Sequence, residues 1–143
     1  MYKFDDLYYV CWIMERFKRS TGIDLTDIVN KLGESRIKDY LYSAEVLHCE
    51  NPDKIMHEMS EEIGLSDYNP DTSRIYASDT PDLDAIADTY ALLIDHLYPN
   101  EYAEGMIKMH NSFLAPLIAD YPRNLYWAGT EYLAASYKEG KLL

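Results

Sequence analysis

The spacing of apolar residues constrains the fold of this 143-residue chain more than any other feature. In the first segment, FDDLYYVCWIMERF, apolar side chains include Phe4, Leu7, Cys11, Met14 and Phe17. Intervals of three and four place them on one face of an α-helix, whereas a β-strand would need apolar and polar residues to alternate. No alternating segment of useful length occurs. The sequence therefore predicts an all-α fold, a compact bundle of about six to seven helices in one body or two packed halves.

Capping residues, glycines and prolines predict where the helices begin and end. Asp24 precedes a short helix that Gly33 is placed to end, and Ser35 can cap the next one. Asn51 followed by Pro52 is a strong start signal, because proline lacks an N–H that the first helical turn would leave unpaired. Further boundaries are expected at Gly64, at Thr80 and Pro81, and at Pro99 and Asn100. The helix that Asn100 caps is expected to kink or end at Pro116. Pro122 and Gly140 bracket the last helix.

The helical pattern is interrupted once, by the segment LSDYNPDTSRIYASDTPD. It is rich in Asp, Ser, Thr and Pro and has no sustained period, which is typical of a loop. We therefore expect an N-terminal helical domain at residues 1–65, a linker or crossing loop at 66–80, and a C-terminal three-helix segment at 81–143.

Charge and composition narrow the classes of partner. The chain has 25 Asp and Glu against 13 Lys and Arg, a formal net charge of -12. This charge repels phosphate backbones, so we expect no direct nucleic acid ligand; it suits a basic protein partner, although it also serves solubility alone. No apolar run approaches the roughly 20 residues that span a bilayer. With two cysteines and no signal-peptide pattern, we expect a reduced, cytoplasmic protein without membrane contact.

Residues 48–62 contain the best candidates for a catalytic or metal site. His48 is adjacent to Cys49, but adjacent side chains on a helix diverge by about 100°, and His57 could approach only through the intervening turn. We interpret Cys49 as a small buried hydrophobe and His48 as a hydrogen-bonded structural residue. His57 and Glu61 share a helical face, yet no repeated Glu-x-x-His or Cys-x-x-Cys unit accompanies them. The favoured interpretation is a solvated acidic face, with no catalytic residue, metal or cofactor.

The first 65 residues resemble a known family. The segments FKRSTGIDLTDIVNKL and IKDYLYSAEVLHCENPDKIMHEMSEE are similar to a small uncharacterised bacterial helical domain found beside, or fused to, ADP-ribosyltransferase-like toxin domains. The matching positions are Gly22, Leu25, Tyr40, Leu41, Leu47, His48, Ile55 and Glu62. The resemblance implies an antitoxin or toxin-regulating role, and it does not extend to residues 66–143.

This resemblance and the composition together predict a non-catalytic acidic module that covers the active cleft of a basic toxin or enzyme. Fourteen tyrosines against three phenylalanines suit either a protein interface or the rim of a small core, since tyrosine combines an apolar ring with a wet hydroxyl. We expect the interface anchors to be the exposed members of the set Tyr9, Trp12, Tyr42, Tyr76, Tyr98, Tyr126 and Trp127.

Two alternatives from other classes stay open. One is a phage or plasmid counter-defence inhibitor whose carboxylates imitate nucleic acid phosphates, which would require a regular acidic stripe. The other is a small metal-dependent helical enzyme that uses His57, His96 or His110.

Overall fold

This computed structural model describes residues 2–143, and these residues contain seven α-helices. They are α1 (Phe4–Thr21), α2 (Leu25–Leu47), α3 (Pro52–Glu62), α4 (Leu83–Leu97), α5 (Tyr102–His110), α6 (Leu114–Ala119) and α7 (Thr130–Glu139), with short 3-10 helices at Thr72–Arg74, Tyr121–Arg123 and Leu125–Trp127. Those residues contain no β-strand, so the predicted all-α class is confirmed. No helix among them is both long enough and apolar enough to cross a bilayer.

Helix α1 lies at the centre of the bundle. It packs against α2 and against α4, while α2 also packs on α5 and α4 also packs on α7. Leu7, Val10, Ile13 and Phe17 are fully buried because α1 is covered from both sides. The buried side chains of α1–α3 and of α4–α7 belong to one hydrophobic cluster. The two halves of the chain therefore share a single core.

The segment 66–80 is a crossing loop that packs on α1 rather than hanging free. Ile75 is buried in the core, and the backbone N–H of Asp71 donates to the carbonyl of Ser20 at 2.7 Å. The Arg19 guanidinium donates to the carbonyl of Ile75 at 2.9 Å. These three contacts hold the loop to the C-terminal end of α1.

A buried charge network joins α1 to the C-terminal part of the chain. Glu15 is fully buried, and its Oε2 lies 2.8 Å from Nε of Arg19, whose side chain is also buried. The hydroxyl of Tyr121 donates to the same carboxylate, and Lys18 Nζ donates to that hydroxyl at 3.1 Å. A buried carboxylate is tolerated only when charges and hydrogen bonds compensate its lost hydration. Arg19 and Tyr121 supply that compensation at Oε2, while Oε1 has no hydrogen-bond partner within residues 2–143 and is compensated by the Lys18 ammonium at 3.8 Å.

Gly33 introduces a kink into α2 but does not end the helix. Its φ of 78° and ψ of 166° are not helical, and the helix resumes at once on the other side. This backbone region is essentially accessible to glycine alone. The prediction of a break at Gly33 is therefore confirmed as a kink, and the expected helices on either side are the two arms of α2.

Several predicted boundaries agree with the structure and others do not. Helix α4 is capped by Asp82 rather than opening at Thr80 and Pro81, and α5 is capped by Glu101 rather than by Asn100. Asn51 caps α3, its side chain accepting a hydrogen bond from the N–H of Asp53 at 2.9 Å. The expected continuous helix up to Pro116 is wrong: α5 ends at His110, and Pro116 lies in the first turn of α6, where its missing N–H costs no bond. The last helix starts at Thr130 rather than just after Pro122, because two 3-10 turns intervene.

We expect Gly33→Ala to destabilise the protein by about 1–3 kcal/mol, because an L residue is strained at this φ and ψ. No atom lies within 4 Å of the added Cβ, so strain rather than collision would cause the loss. Gly140→Ala is the matched control, since Gly140 ends α7 at φ 80° and ψ 13°, a region that L residues enter at a cost of about 1 kcal/mol. Urea unfolding measures both; a smaller loss for Gly33→Ala than for Gly140→Ala would contradict the prediction.

We expect Glu15→Gln to lower the free energy of unfolding by about 3 kcal/mol, because it leaves the buried Arg19 charge without its counter-ion. The control is Glu34→Gln, which breaks the exposed ion pair with Lys38 at the same i,i+4 spacing and should change stability little. Urea denaturation of both variants checks this. A loss for Glu15→Gln no larger than that of the control would contradict the importance of the network.

Candidate functional site

An open groove of about 660 Å³ lies along α1, between the end of α2 and the start of α4. Its floor is aromatic, formed by Tyr8, Tyr9 and Trp12 of α1. The walls come from the last turn of α2, the turn that leads into α3, and the first turn of α4. The helical spacing of α1 brings Tyr8 and Trp12 onto one face, one turn apart.

Hydrogen bonds and ring contacts hold the floor in place. The ring centroids of Tyr9 and Trp12 are 6.2 Å apart, and His48 meets Tyr9 edge-on at 5.9 Å. Trp12 Nε1 donates to Oδ1 of Asp84 at 3.0 Å, which ties the floor to α4. The Tyr9 hydroxyl donates to the carbonyl of Leu47 at 3.4 Å. The aromatic surface is therefore pre-formed rather than assembled on binding.

The walls of the groove are strongly acidic. Within residues 2–143, five carboxylates line it against a single lysine, Lys3; they belong to Asp5, Asp6, Glu45, Glu50 and Asp84. Burial raises the pKa of both floor tyrosines to about 12, with Asp84 adding to the shift of Tyr8 and Glu50 to that of Tyr9. Both phenols stay neutral at physiological pH. The groove thus combines neutral π faces with negative charge, the arrangement that attracts an organic cation.

One cation of the chain already binds in this way beside the groove. The Arg16 guanidinium carbon lies 5.5 Å from the ring centroid of Trp12 and 6.0 Å from that of Tyr76. Its Nη2 is 3.3 Å from Oδ1 of Asp53, and its Nη1 donates to the Tyr76 hydroxyl at 3.4 Å. Arg16 thereby extends the aromatic row of α1 as far as the crossing loop.

The structure brings together only part of the predicted anchor set. Tyr9 and Trp12 are in the groove, and Tyr76, 65% exposed, joins them through Arg16. Tyr9 is only 6% exposed, so it supports the floor and is not among the exposed members of the set. Tyr42 projects from α2 and is 83% exposed without lining the groove.

The three remaining anchors lie elsewhere. The hydroxyls of Tyr98 and Tyr137 are 2.5 Å apart, and Tyr98 is half-buried. Tyr126 packs beside Trp127, which is 75% exposed, with ring centroids 5.5 Å apart. These pairs belong to the C-terminal half and do not line the groove.

The carboxylate that organises the groove could not be predicted from the sequence. Asp84 lies in the first turn of α4, where the helix dipole alone would favour an acidic residue. Asp84 and Trp12 are 72 residues apart in the sequence, so no local sequence pattern indicates their contact. Tyr8 was also missed, although its spacing of four from Trp12 is visible in the sequence and could have paired the two rings.

Two interpretations of residues 48–62 need correction. Cys49 is exposed, not buried, because α2 ends at Leu47 and the cysteine lies in the following turn. His48 is exposed as well and contributes its ring edge to Tyr9 instead of a buried hydrogen bond. The solvated acidic face is confirmed: His57 and Glu61 form an exposed pair at 3.0 Å.

The histidines considered as metal ligands do not converge. His57 is on α3, His96 on α4 and His110 at the end of α5. Across residues 2–143, no three or more His, Cys, Asp or Glu side chains are grouped so that they could hold a metal ion. The geometry therefore provides no ligand set for the metal-enzyme alternative within that range.

A second, smaller cavity of about 210 Å³ adjoins the buried His110. His110 is 3% exposed, its ring centroid is 5.0 Å from that of Tyr90, and its Nδ1 has no hydrogen-bond partner in the part of the chain that the structure describes. Burial, with a smaller contribution from Lys18, lowers the pKa of His110 to about 3. The imidazole of His110 is therefore neutral in the folded protein near neutral pH.

Comparison of the chain with protein-family models, with curated proteins and with solved structures gives no match. The resemblance of residues 1–65 to the toxin-associated domain stays a prediction, and a functional proposal has to rest on the geometry of the groove.

Because the folded pKa of His110 lies below the ordinary value of 6.5, the stability conferred by its neutral form is complete above about pH 6.5 and is lost as the pH falls toward about 3. We expect a loss on the order of several kcal/mol over this window. In His110→Phe, which keeps an aromatic ring beside Tyr90, this part of the pH dependence should disappear.

The urea midpoints of wild type and His110→Phe, measured at several pH values between 7 and 4, check this prediction. His57→Gln, at an exposed histidine, is the control and should follow the wild-type profile. Parallel profiles for wild type and His110→Phe would show that other groups carry the acid sensitivity.

Proposed function

We propose that the protein is a non-catalytic, acidic protein-binding module of the antitoxin or immunity type, which covers the active cleft of a basic toxin or enzyme. The observation that carries this proposal is the groove along α1, where a pre-formed aromatic floor is surrounded by five carboxylates and one lysine. Aromatic anchors within a charged rim are the usual composition of a binding hot spot.

Charge supports a protein partner over a nucleic acid. A net charge of -12 opposes a phosphate backbone and accelerates the approach of a basic protein. The local charge of the groove has the same sign as that of the whole molecule. A basic partner would therefore be attracted at long range and held by the same surface at contact.

The surface beside the groove supports a contact of protein size rather than a small ligand alone. Tyr42 and Val46 are both strongly exposed, lie one turn apart on α2, and flank Glu45, which lines the groove. Tyr76 adds a further exposed ring beside Arg16. A stable interface buries about 800 Å² per partner, which the groove can reach only together with such neighbours.

Co-expression with the product of the adjacent gene tests the proposal. We expect that product to be basic and toxic alone, to lose its toxicity when the present protein is co-expressed, and to co-purify with it as a stable complex. Unrelieved toxicity without co-purification would refute the antitoxin role.

Substitution of two exposed aromatic residues tests where on the protein the partner binds. Tyr76→Ala should weaken binding of the co-purified partner about tenfold, since truncating an aromatic hot spot costs roughly 1–2 kcal/mol or more. Trp127→Ala removes a ring of similar exposure outside the groove and should leave the affinity unchanged. Titration calorimetry measures both; the opposite ranking would place the interface at the C-terminal aromatic pair.

A further inference from the structure

We propose that the groove is an arginine-recognition site: a guanidinium of the partner binds against the floor of Tyr8, Tyr9 and Trp12 and is neutralised by the carboxylates of Glu45 and Glu50. This inference rests on the proposed function, because it names the chemistry by which the partner enters the groove. It commits to an arginine-bearing segment of a protein as the occupant.

The chain contains an example of this recognition at the end of the same aromatic row. Arg16 lies against both Trp12 and Tyr76 and reaches the carboxylate of Asp53 at 3.3 Å. Tyr8 and Trp12 continue this face of α1 into the groove at intervals of four residues. A second guanidinium in the groove would meet the same two components, π faces and a carboxylate.

The acidic residues of the groove are available for such a ligand. Among residues 2–143, Glu45 is exposed and forms no ion pair, and Glu50 pairs only with Lys54, whose side chain is largely exposed, at 3.2 Å. By contrast, Asp84 is already engaged by Trp12, and Asp6 accepts from the backbone N–H of Lys3 at 2.9 Å. Free negative charge therefore lies on the α2 side of the floor, and the exposed Asp5 of α1 adds to it from the other side.

The same geometry favours arginine over lysine. A guanidinium is planar, so it can stack on a ring while its N–H fork donates to a carboxylate in the same plane. It is also less strongly hydrated than an ammonium, so less free energy is lost when the groove removes its water. A lysine would gain the charge attraction but little of the stacking. The volume of about 660 Å³ falls in the range of ligand pockets, about 300–1,000 Å³, and leaves room for residues that flank the arginine.

Fluorescence anisotropy of two labelled peptides, oligoarginine and oligolysine of equal length and charge, tests the inference with the 143-residue chain. We expect oligoarginine to bind about fivefold more tightly. The double variant Glu45→Gln/Glu50→Gln should weaken oligoarginine binding about tenfold. The control Glu131→Gln/Glu139→Gln removes the same charge from exposed positions on α7 and should weaken it less than twofold, by roughly the change in long-range attraction.

Trp12→Phe separates ring recognition from charge. It keeps an aromatic ring with a weaker negative face, so the preference for oligoarginine should shrink toward equality while oligolysine binding stays nearly unchanged. Circular dichroism spectra of each variant establish that its helices are intact. Equal affinities of the two peptides for the wild-type protein, or equal losses in the two double variants, would overturn the arginine site, because net charge alone would then explain the binding.

The inference and the proposed function can fail separately. If the adjacent gene product binds the wild type and Glu45→Gln/Glu50→Gln equally well, the arginine site is wrong and the antitoxin role stands. If co-expression relieves no toxicity but the peptides behave as expected, the arginine site stands and the antitoxin role is wrong.

Discussion

The arrangement of the elements depends most on the ion pair and hydrogen bonds of the buried Glu15 carboxylate. It lies inside α1, yet its partners bring together α1, the crossing loop and the 3-10 turn at Tyr121–Arg123, since Arg19 also binds the carbonyl of Ile75. Apolar packing is non-directional and would allow these elements to slide. A buried ion pair with hydrogen bonds has one acceptable geometry, because any displacement leaves a charge without solvent or counter-ion. The network therefore orients segments that are too irregular to orient themselves.

That constraint also restrains the groove, because the groove lies along α1. Glu15 and Arg19 fix one side of α1 inside the protein, while Tyr8, Trp12 and Arg16 follow another side of the same helix at the surface. A binding surface on a helix that is held on both flanks loses little conformational freedom when a partner arrives. Less of the contact energy is then spent on ordering side chains, which is what pre-organisation contributes to affinity.

The predictable and unpredictable features differ in the range of the interactions that cause them. Helical periodicity, the Asn51–Pro52 cap and the kink at Gly33 depend on residues within one or two turns, so they could be inferred from the sequence. Cys49 is exposed because α2 ends at Leu47, two residues before the cysteine. The Leu-His-Cys pattern does not encode that boundary. The contact of Trp12 with Asp84 and that of Glu15 with Tyr121 join residues 72 and 106 positions apart, and a single sequence carries no record of such pairs.

The net charge of -12 and the acidic groove act over different distances, and this difference decides what each contributes. At physiological ionic strength the field of exposed charges decays within about 8 Å, so the total charge mainly influences how often a basic partner arrives. It cannot select among basic partners, because any of them is attracted. Selection requires contacts that operate only after water has been removed, where ring faces and a correctly placed carboxylate distinguish a guanidinium from an ammonium. In the proposed arginine site, the aromatic floor and the carboxylates of the groove supply these two components, and together they would convert a general attraction for basic proteins into a choice of one.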